Sequence, residues 1–146
     1  MKILKVVHDY LPDHVGGTEI HAHQMACYLR DQGHQVAVAT TERDLSEQEG
    51  TVRERVFEGI PVREMIHQRE FEHMRESWRH PLSPGVFERV LAEFKPEIVH
   101  FQHFAHWGTE CVQLAERAGA KVTATLNDFH LLCWDSTLLR PDGELC

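Results

Sequence analysis

The sequence has no long hydrophobic run, few cysteines and a shortage of positive charge, and each lack removes a class of protein. No apolar stretch reaches the ~20 residues that cross a bilayer. The N-terminal run in "MKILKVVHDY" is interrupted by His8 and Asp9 before it attains the length of a signal-peptide core. A cytoplasmic protein is the expectation. Four cysteines, Cys27, Cys111, Cys133 and Cys146, with no C-x-x-C pair, exclude a disulfide scaffold. Lys and Arg number 15 against 23 Asp and Glu, a formal net charge of -8, which argues against nucleic acid as a partner. Also missing are the G-x-G-x-x-G dinucleotide fingerprint and the P-loop G-x-x-x-x-G-K-[ST]. Dehydrogenase and P-loop NTPase readings weaken accordingly.

What remains is a chain of ordinary globular composition, 42% apolar and 26% charged, with 146 residues, enough for one core. "KILKVVH" (2–8) and "QVAVAT" (35–40) read as β-branched strands. Between them, residues 18–32 carry Ala22, Met25, Ala26 and Leu29 at i, i+3, i+4, i+7, with Gly33 as the stop. Residues 51–66 read as two strands about Glu58-Gly59, with Pro61 suggesting that the second lies at an edge. A helix over 84–94 presents Phe87, Val90, Leu91 and Phe94. A strand over 96–104 follows. Trp107, Cys111, Leu114, Ala115 and Ala118 form a further helical stripe, and "KVTATLND" (121–128) a further strand. Alternating strands and helices predict an α/β domain, Rossmann-like and doubly wound, whose mostly parallel sheet carries helices on both faces. The chain stops in the turn-like "DGELC", which suggests a fragment of a longer protein.

In such a sheet the ligand crevice lies outside the carboxyl ends of the strands. Three loops should meet there, Asp9 to Gly17, Gln102 to Trp107 and Asn127 to Cys133. Gly16 and Gly17 precede a helix whose free amides and dipole suit a phosphate; alternatively they only permit a tight turn. "HFQHFAH" supplies His100, His103 and His106 at a spacing that suits one helical face, yet on a strand and loop, so hydrogen bonding to a polar ligand is favoured over metal ligation. His21 and His23, two apart on a helix, make a poor chelate. Cys27 and Cys111 read as small core residues. A turn at Asp142-Gly143 could bring Cys133 to Cys146, leaving a disulfide, half of a metal cluster and unrelated thiols all open. "LNDFHLLC" sets Asn127, Asp128 and His130 where a catalytic or sugar-binding group belongs, or where Asn-Asp begins a turn.

Taken together, "MKILKVVHDYLPDHVGGTEIHAHQMACYLRDQGHQVAVAT", "KPEIVHFQHF" and "VTATLNDFHLLC" resemble the N-terminal domain of family-4 (group 1) glycosyltransferases of the GT-B fold. The resemblance rests on the order of strand, proline-to-Gly-Gly loop, helix and G-H-x-V. It implies a single acceptor-side domain over 1–146, with the C-terminal donor-binding domain absent. Such a domain takes part in retaining transfer from a UDP- or GDP-sugar to a glycan, lipid or small-molecule acceptor, with no catalytic metal and no cofactor of its own. By the same resemblance Gly16 and Gly17 match the donor-phosphate loop, and His100 and His103 the family's V-H-x-H strand end, which reads V-H-x-x-H here. Asn127 and Asp128 are the catalytic candidates; Tyr10, Asp13, Thr18, His103, His106 and His130 are the acceptor or sugar contacts. Where many relatives read T-L-H-D-x-W-x-x-C, this chain has Asn127 for the histidine and His130 for the tryptophan, while Asp128 and Cys133 match. Asn127 cannot titrate near neutrality, so a non-catalytic glycan- or protein-binding module of the same fold is the alternative. Glu64 and Glu72 have the Glu-x7-Glu spacing of the missing domain and are read as chance. Arg69, Arg75 and Arg79, with Phe71, Met74 and Trp78, are read either as an acceptor-side or peripheral membrane-facing flap or as a solvated helix.

Overall fold

Short runs of Ile, Val, Leu and Ala within residues 2–6 and 35–40 form the middle of a six-stranded sheet. The computed structural model describes residues 1–68, 80–133, 137–140 and 142–145. In chain order the elements are β1 (Lys2–Val6), α1 (Gly17–Asp31), β2 (Gln35–Arg43), β3 (Val52–Phe57), β4 (Ile60–His67), α2 (Ser83–Phe94), β5 (Ile98–Phe101), α3 (Glu110–Arg117) and β6 (Lys121–Ala124). The sheet order is β3-β4-β2-β1-β5-β6. Every neighbouring pair is parallel except the β3–β4 hairpin. No helix among the described residues is long and apolar enough to cross a membrane. The arginine-rich segment with Phe71, Met74 and Trp78, and Glu72 and Cys146, lie outside the described residues.

The period of two along a strand divides the core. Leu4 and Val6 join Ala37, Ala39, Met65, Val99 and Phe101 on one face, covered by Phe87 and Val90 of α2 and Cys111 and Leu114 of α3. Ile3, Val7, Val36, Val38 and Val62 form the other face beneath Ala22 and Ala26 of α1. Helices thus cover both faces, as the sequence pattern predicts.

The helix stop at Gly33 is a Schellman motif. Gly33 sits at φ 84; its N–H donates to the Arg30 carbonyl and that of His34 to Leu29. A Cβ on Gly33 would meet nothing within 4 Å, so Gly33→Ala tests backbone conformation alone. A loss of about 1 kcal/mol is expected, read as a lowered urea midpoint with an unchanged slope.

The structure corrects several boundaries. Pro61 does not mark the edge: β3 is the edge strand, and β4 lies between β3 and β2. Pro61 is tolerated because β2 pairs with β4 only from Val62 onward. The expected strands 96–104 and 121–128 contract to Ile98–Phe101 and Lys121–Ala124, releasing their ends into loops. Trp107 lies in the turn before α3. Cys27 is only half-buried, whereas Cys111 is fully buried. Glu64, 1% exposed, is held by Arg53 Nε at 2.8 Å and Arg55 Nε at 2.5 Å.

Candidate functional site

Parallel pairing of β1 with β5 and of β5 with β6 brings three carboxyl ends side by side. The loops leaving them carry His8, His103, Asp128 and His130. The His8 and His103 ring centroids are 4.2 Å apart, and those of His103 and His130 are 4.6 Å apart. The Ala105 N–H donates to His103 Nδ1 at 3.1 Å. The ring proton of neutral His103 is therefore on Nε2, which donates to Asp128 Oδ2 at 2.9 Å. The second carboxylate oxygen accepts the His130 backbone N–H at 2.9 Å. Asp128 is thus both a turn former and the orienting partner of His103.

Burial sets the charge state here. It pushes His103 below its ordinary pKa, with His8 acting in the same sense and Asp128 opposing. It lowers His8 against Asp9 and Asp128, and lowers His130 with help from His103. Burial alone would raise Asp128, but the His130 N–H and the His103 side chain outweigh it and hold the carboxyl below its usual range. At neutral pH the site holds neutral imidazoles beside a carboxylate. That mixture of donors and acceptors matches sugar hydroxyls, which do both.

Gly16 is the extended N-cap of α1 and Gly17 its first residue. The two glycines differ in what they make room for. A Cβ on Gly16 would overlap the Glu19 carboxylate, which lies 3.5 Å from His8 Nε2 and is buried. A Cβ on Gly17 would meet nothing within 4 Å. The chain therefore already supplies one negative group to the first turn of α1, as the helix dipole favours, and leaves the exposed Gly17 side open.

The other expected contacts fall elsewhere. Tyr10 is a correction: it is 1% exposed, and its hydroxyl bonds His23 Nδ1 at 2.8 Å. Its ring packs edge-on against Phe57, so it belongs to the core under α1 and not to the crevice wall. Asn127 donates through Nδ2 to the Gln102 carbonyl at 2.9 Å and to Gln102 Oε1 at 3.2 Å. Its amide hydrogens tie two loops together. Asp13 is exposed, 3.9 Å from Arg55, and Thr18 is half-buried in the first turn of α1. The three histidines of "HFQHFAH" enter three different networks. His100 takes a hydrogen bond from Lys5 Nζ at 2.9 Å and lies 2.8 Å from Thr125 Oγ1, His103 meets Asp128, and the His106 ring lies tilted 4.5 Å from that of His67.

Three residues of the site escape sequence reasoning. His8 reads only as the residue that ends an apolar run. Glu19 has the ordinary signature of an acid in a first helical turn. Gln102 reaches three elements at once, since His21 Nδ1 of α1 donates to its Oε1 at 3.0 Å. Only the acid was visible locally; the other two depend on strand pairing. At the amino ends of β5 and β6, a groove of about 600 Å³ lined by Leu91, Lys95 and Leu114 separates α2 from α3, away from this chemistry.

The family model described as Glycosyltransferase Family 4 matches residues 15–140. Among solved structures, the chain is similar to the catalytic domain of starch synthase IV from Arabidopsis thaliana bound to ADP and acarbose. The TM-score is 0.61 at 19% identity, over 88% of this chain and 34% of that one. At that identity the likeness is one of fold, and the chain spans about a third of the matched chain's length. No curated protein matches the sequence.

Proposed function

Because the chain belongs to glycosyltransferase family 4 and is a glycosyltransferase domain, we propose that it forms the acceptor-side half of a retaining transferase. The enzyme moves a sugar from a UDP- or GDP-sugar to a glycan, lipid or small-molecule acceptor. One observation carries this reading: the neutral His103, oriented by Asp128, stands with His8 and His130 at the carboxyl end of a sheet that also presents the open Gly17 end of α1. In this division of labour the amides of α1 meet the donor's phosphate. The imidazoles and Asp128 hold sugar or acceptor hydroxyls, and a second domain supplies cations for the leaving group. Amide dipoles and cations suffice for that charge, so the reaction needs no catalytic metal. That the similar starch synthase was captured with ADP and acarbose is consistent with a nucleotide and a saccharide sharing such a crevice.

The isolated chain is expected to catalyse no transfer from UDP- or GDP-sugars, and turnover by it would overturn the division between domains. Binding is tested by proton–nitrogen NMR with UDP, GDP and their sugars. Shifts are expected at the Gly16 to Thr18 amides and at the His103 and His130 rings. Gly17→Glu, which has room within the chain but adds charge where phosphate should sit, is expected to abolish the amide shifts while leaving the fold intact. Shifts confined to other surfaces, or unaffected by Gly17→Glu, would remove the phosphate role. Asn127 favours a second reading, a binding module without transfer, because its amide donors are committed to Gln102. Saccharide shifts at His103 with no response to any nucleotide would support that module.

A further inference from the structure

We propose that His23, Cys27 and Glu58 bind one borderline divalent transition-metal ion of the zinc(II) class, which clamps α1 to the β3–β4 turn. The site is independent of the transfer reaction. His23 and Cys27 lie four residues apart on α1, hence on one face. Glu58 is delivered from the other side by the hairpin turn, where it adopts φ 46 and Gly59 φ 80. While His21 faces Gln102 of the β5 loop, His23 faces this turn.

The ligand atoms are already at chelating separations. Cys27 Sγ is 3.4 Å and Glu58 Oε2 3.0 Å from His23 Nε2, and all three atoms lie within 4.8 Å of one another. A tetrahedral zinc ion with bonds of about 2.0 Å to nitrogen and oxygen and 2.3 Å to sulfur needs N···S of roughly 3.5 Å and N···O of roughly 3.3 Å. The N···S separation is met as it stands, and a small rotation of the exposed glutamate brings its oxygen to the distance it needs.

His23 is also built as a metal ligand. Its far nitrogen, Nδ1, is 2.8 Å from the Tyr10 hydroxyl, the kind of outer hydrogen bond that fixes the ring of a metal-bound histidine. Tyr10 remains a phenol, since burial raises its pKa, and its hydroxyl can donate or accept. The imidazole is 5.0 Å from the Phe57 ring and buried, so its orientation is set before an ion arrives. Arg30 Nη1 donates to the Glu58 carbonyl at 2.6 Å and steadies the turn. The Glu58 side chain is 67% exposed, which gives an entry path and a water for the fourth position.

The proton balance is simple. Cys27 releases its thiol proton to solvent. The proton on His23 Nε2 gives way to one on Nδ1, now donated to Tyr10, so His23 stays neutral. Thiolate and carboxylate then offset the 2+ charge, with one proton liberated per ion. Sulfur and imidazole select against magnesium and calcium, which prefer oxygen. Two other clusters among the described residues differ in kind. His8, Asp9 and Glu19 belong to the crevice; in the group of Asp13, Glu42 and Glu64, Glu64 is paired with Arg53 and Arg55 and Glu42 with His14.

The test is a titration of the purified chain with cobalt(II) as a spectroscopic probe, followed by displacement with zinc(II). One ion per chain, a thiolate-to-cobalt charge-transfer band and release of one proton are expected. Cys27→Ser should abolish the band and weaken zinc binding at least about tenfold. Tyr10→Phe should keep the band and weaken binding about 10–100-fold, and Cys133→Ser should change nothing. Should Cys27→Ser not fold, the surface variant Glu58→Gln decides, with a loss of about tenfold expected. No binding by the wild-type chain, a band that survives Cys27→Ser, or unchanged affinity in Glu58→Gln overturns the site.

Discussion

Trp107→Ala is expected to lower the free energy of unfolding by about 3–5 kcal/mol, a large part of the ~5–15 kcal/mol that stabilises a domain of this kind. Trp107 is fully buried, with its ring 5.5 Å from that of Phe87. Its Nε1–H donates to the Val7 carbonyl at 2.9 Å, and its own carbonyl accepts Ser83 Oγ at 2.8 Å and Cys111 Sγ at 3.0 Å. Truncation therefore opens a cavity and takes the indole donor from the Val7 carbonyl, while the bonds to the Trp107 carbonyl remain. Because Val7 immediately precedes His8, the same bond fixes where the crevice begins. Urea unfolding measures the loss, and Trp107→Phe separates the two contributions, since it keeps a ring but not the N–H. That variant should lose less than Trp107→Ala, by at least about 1 kcal/mol. A loss below about 1 kcal/mol for Trp107→Ala would show that the ring is not what holds the two segments together.

Acid is expected to unfold the domain well above the pH at which its carboxylates protonate. Burial, reinforced by His67, His8, His80 and His103, pushes His106 down to about 3. Burial, followed by Lys5 and His21, pushes His100 down to about 4. In the unfolded chain both return to about 6.5. Between those limits the unfolded state binds protons that the folded state refuses, so stability is complete above about pH 6.5 and falls as the pH drops toward 4. The slope is up to about 1.4 kcal/mol per pH unit for His106 and less for His100, which is only half-buried. His8, His103 and His130, all shifted downward, act in the same direction. Asp128, whose pKa is also depressed, withdraws its stabilisation only at lower pH still. Urea midpoints at pH 7, 6 and 5 should decline steadily, and His106→Gln should flatten the decline. Equal midpoints at pH 5 and 7 would contradict the buried neutral state of these rings.

The parts of this molecule that sequence could reveal are those encoded by period and punctuation. The stripe from Ala22 to Leu29 ends at Gly33 because both the apolar spacing and the left-handed stop are local. The stripe from Phe87 to Phe94 is local in the same way, and the meeting of three loops beyond parallel strands follows from the alternation of strands and helices. Side-chain direction within loops is not periodic, so it is not legible in the sequence. Tyr10 looked like a crevice aromatic but turns inward to His23. The bridge from Asn127 to Gln102 joins two loops and has no signal in the sequence. Pro61 suggests an edge by its missing N–H alone, because the residue at which β4 begins to pair with β2 is not encoded locally. The pairing of His103 with Asp128 was within reach, since both loops were expected at the same crevice, but its tautomer depends on the Ala105 N–H. His23 and Cys27 show their spacing in the sequence; Glu58, more than thirty residues away, does not.

The position of β1 also governs the order in which the chain assembles. Its residues are made before those of either partner strand, and Lys5 pairs on one side with Val38 and on the other with His100. The first contact can form once β2 exists; the second closes a loop of nearly a hundred residues, a slow entropic step. A nascent chain that has reached β4 can thus hold β1, β2 and the β3–β4 hairpin together, with one edge of its central strand open. That edge stays available to other chains until β5 arrives. Synthesis speed between residues 67 and 98, more than the stability of the finished sheet, is therefore the variable to which the yield of folded protein should respond.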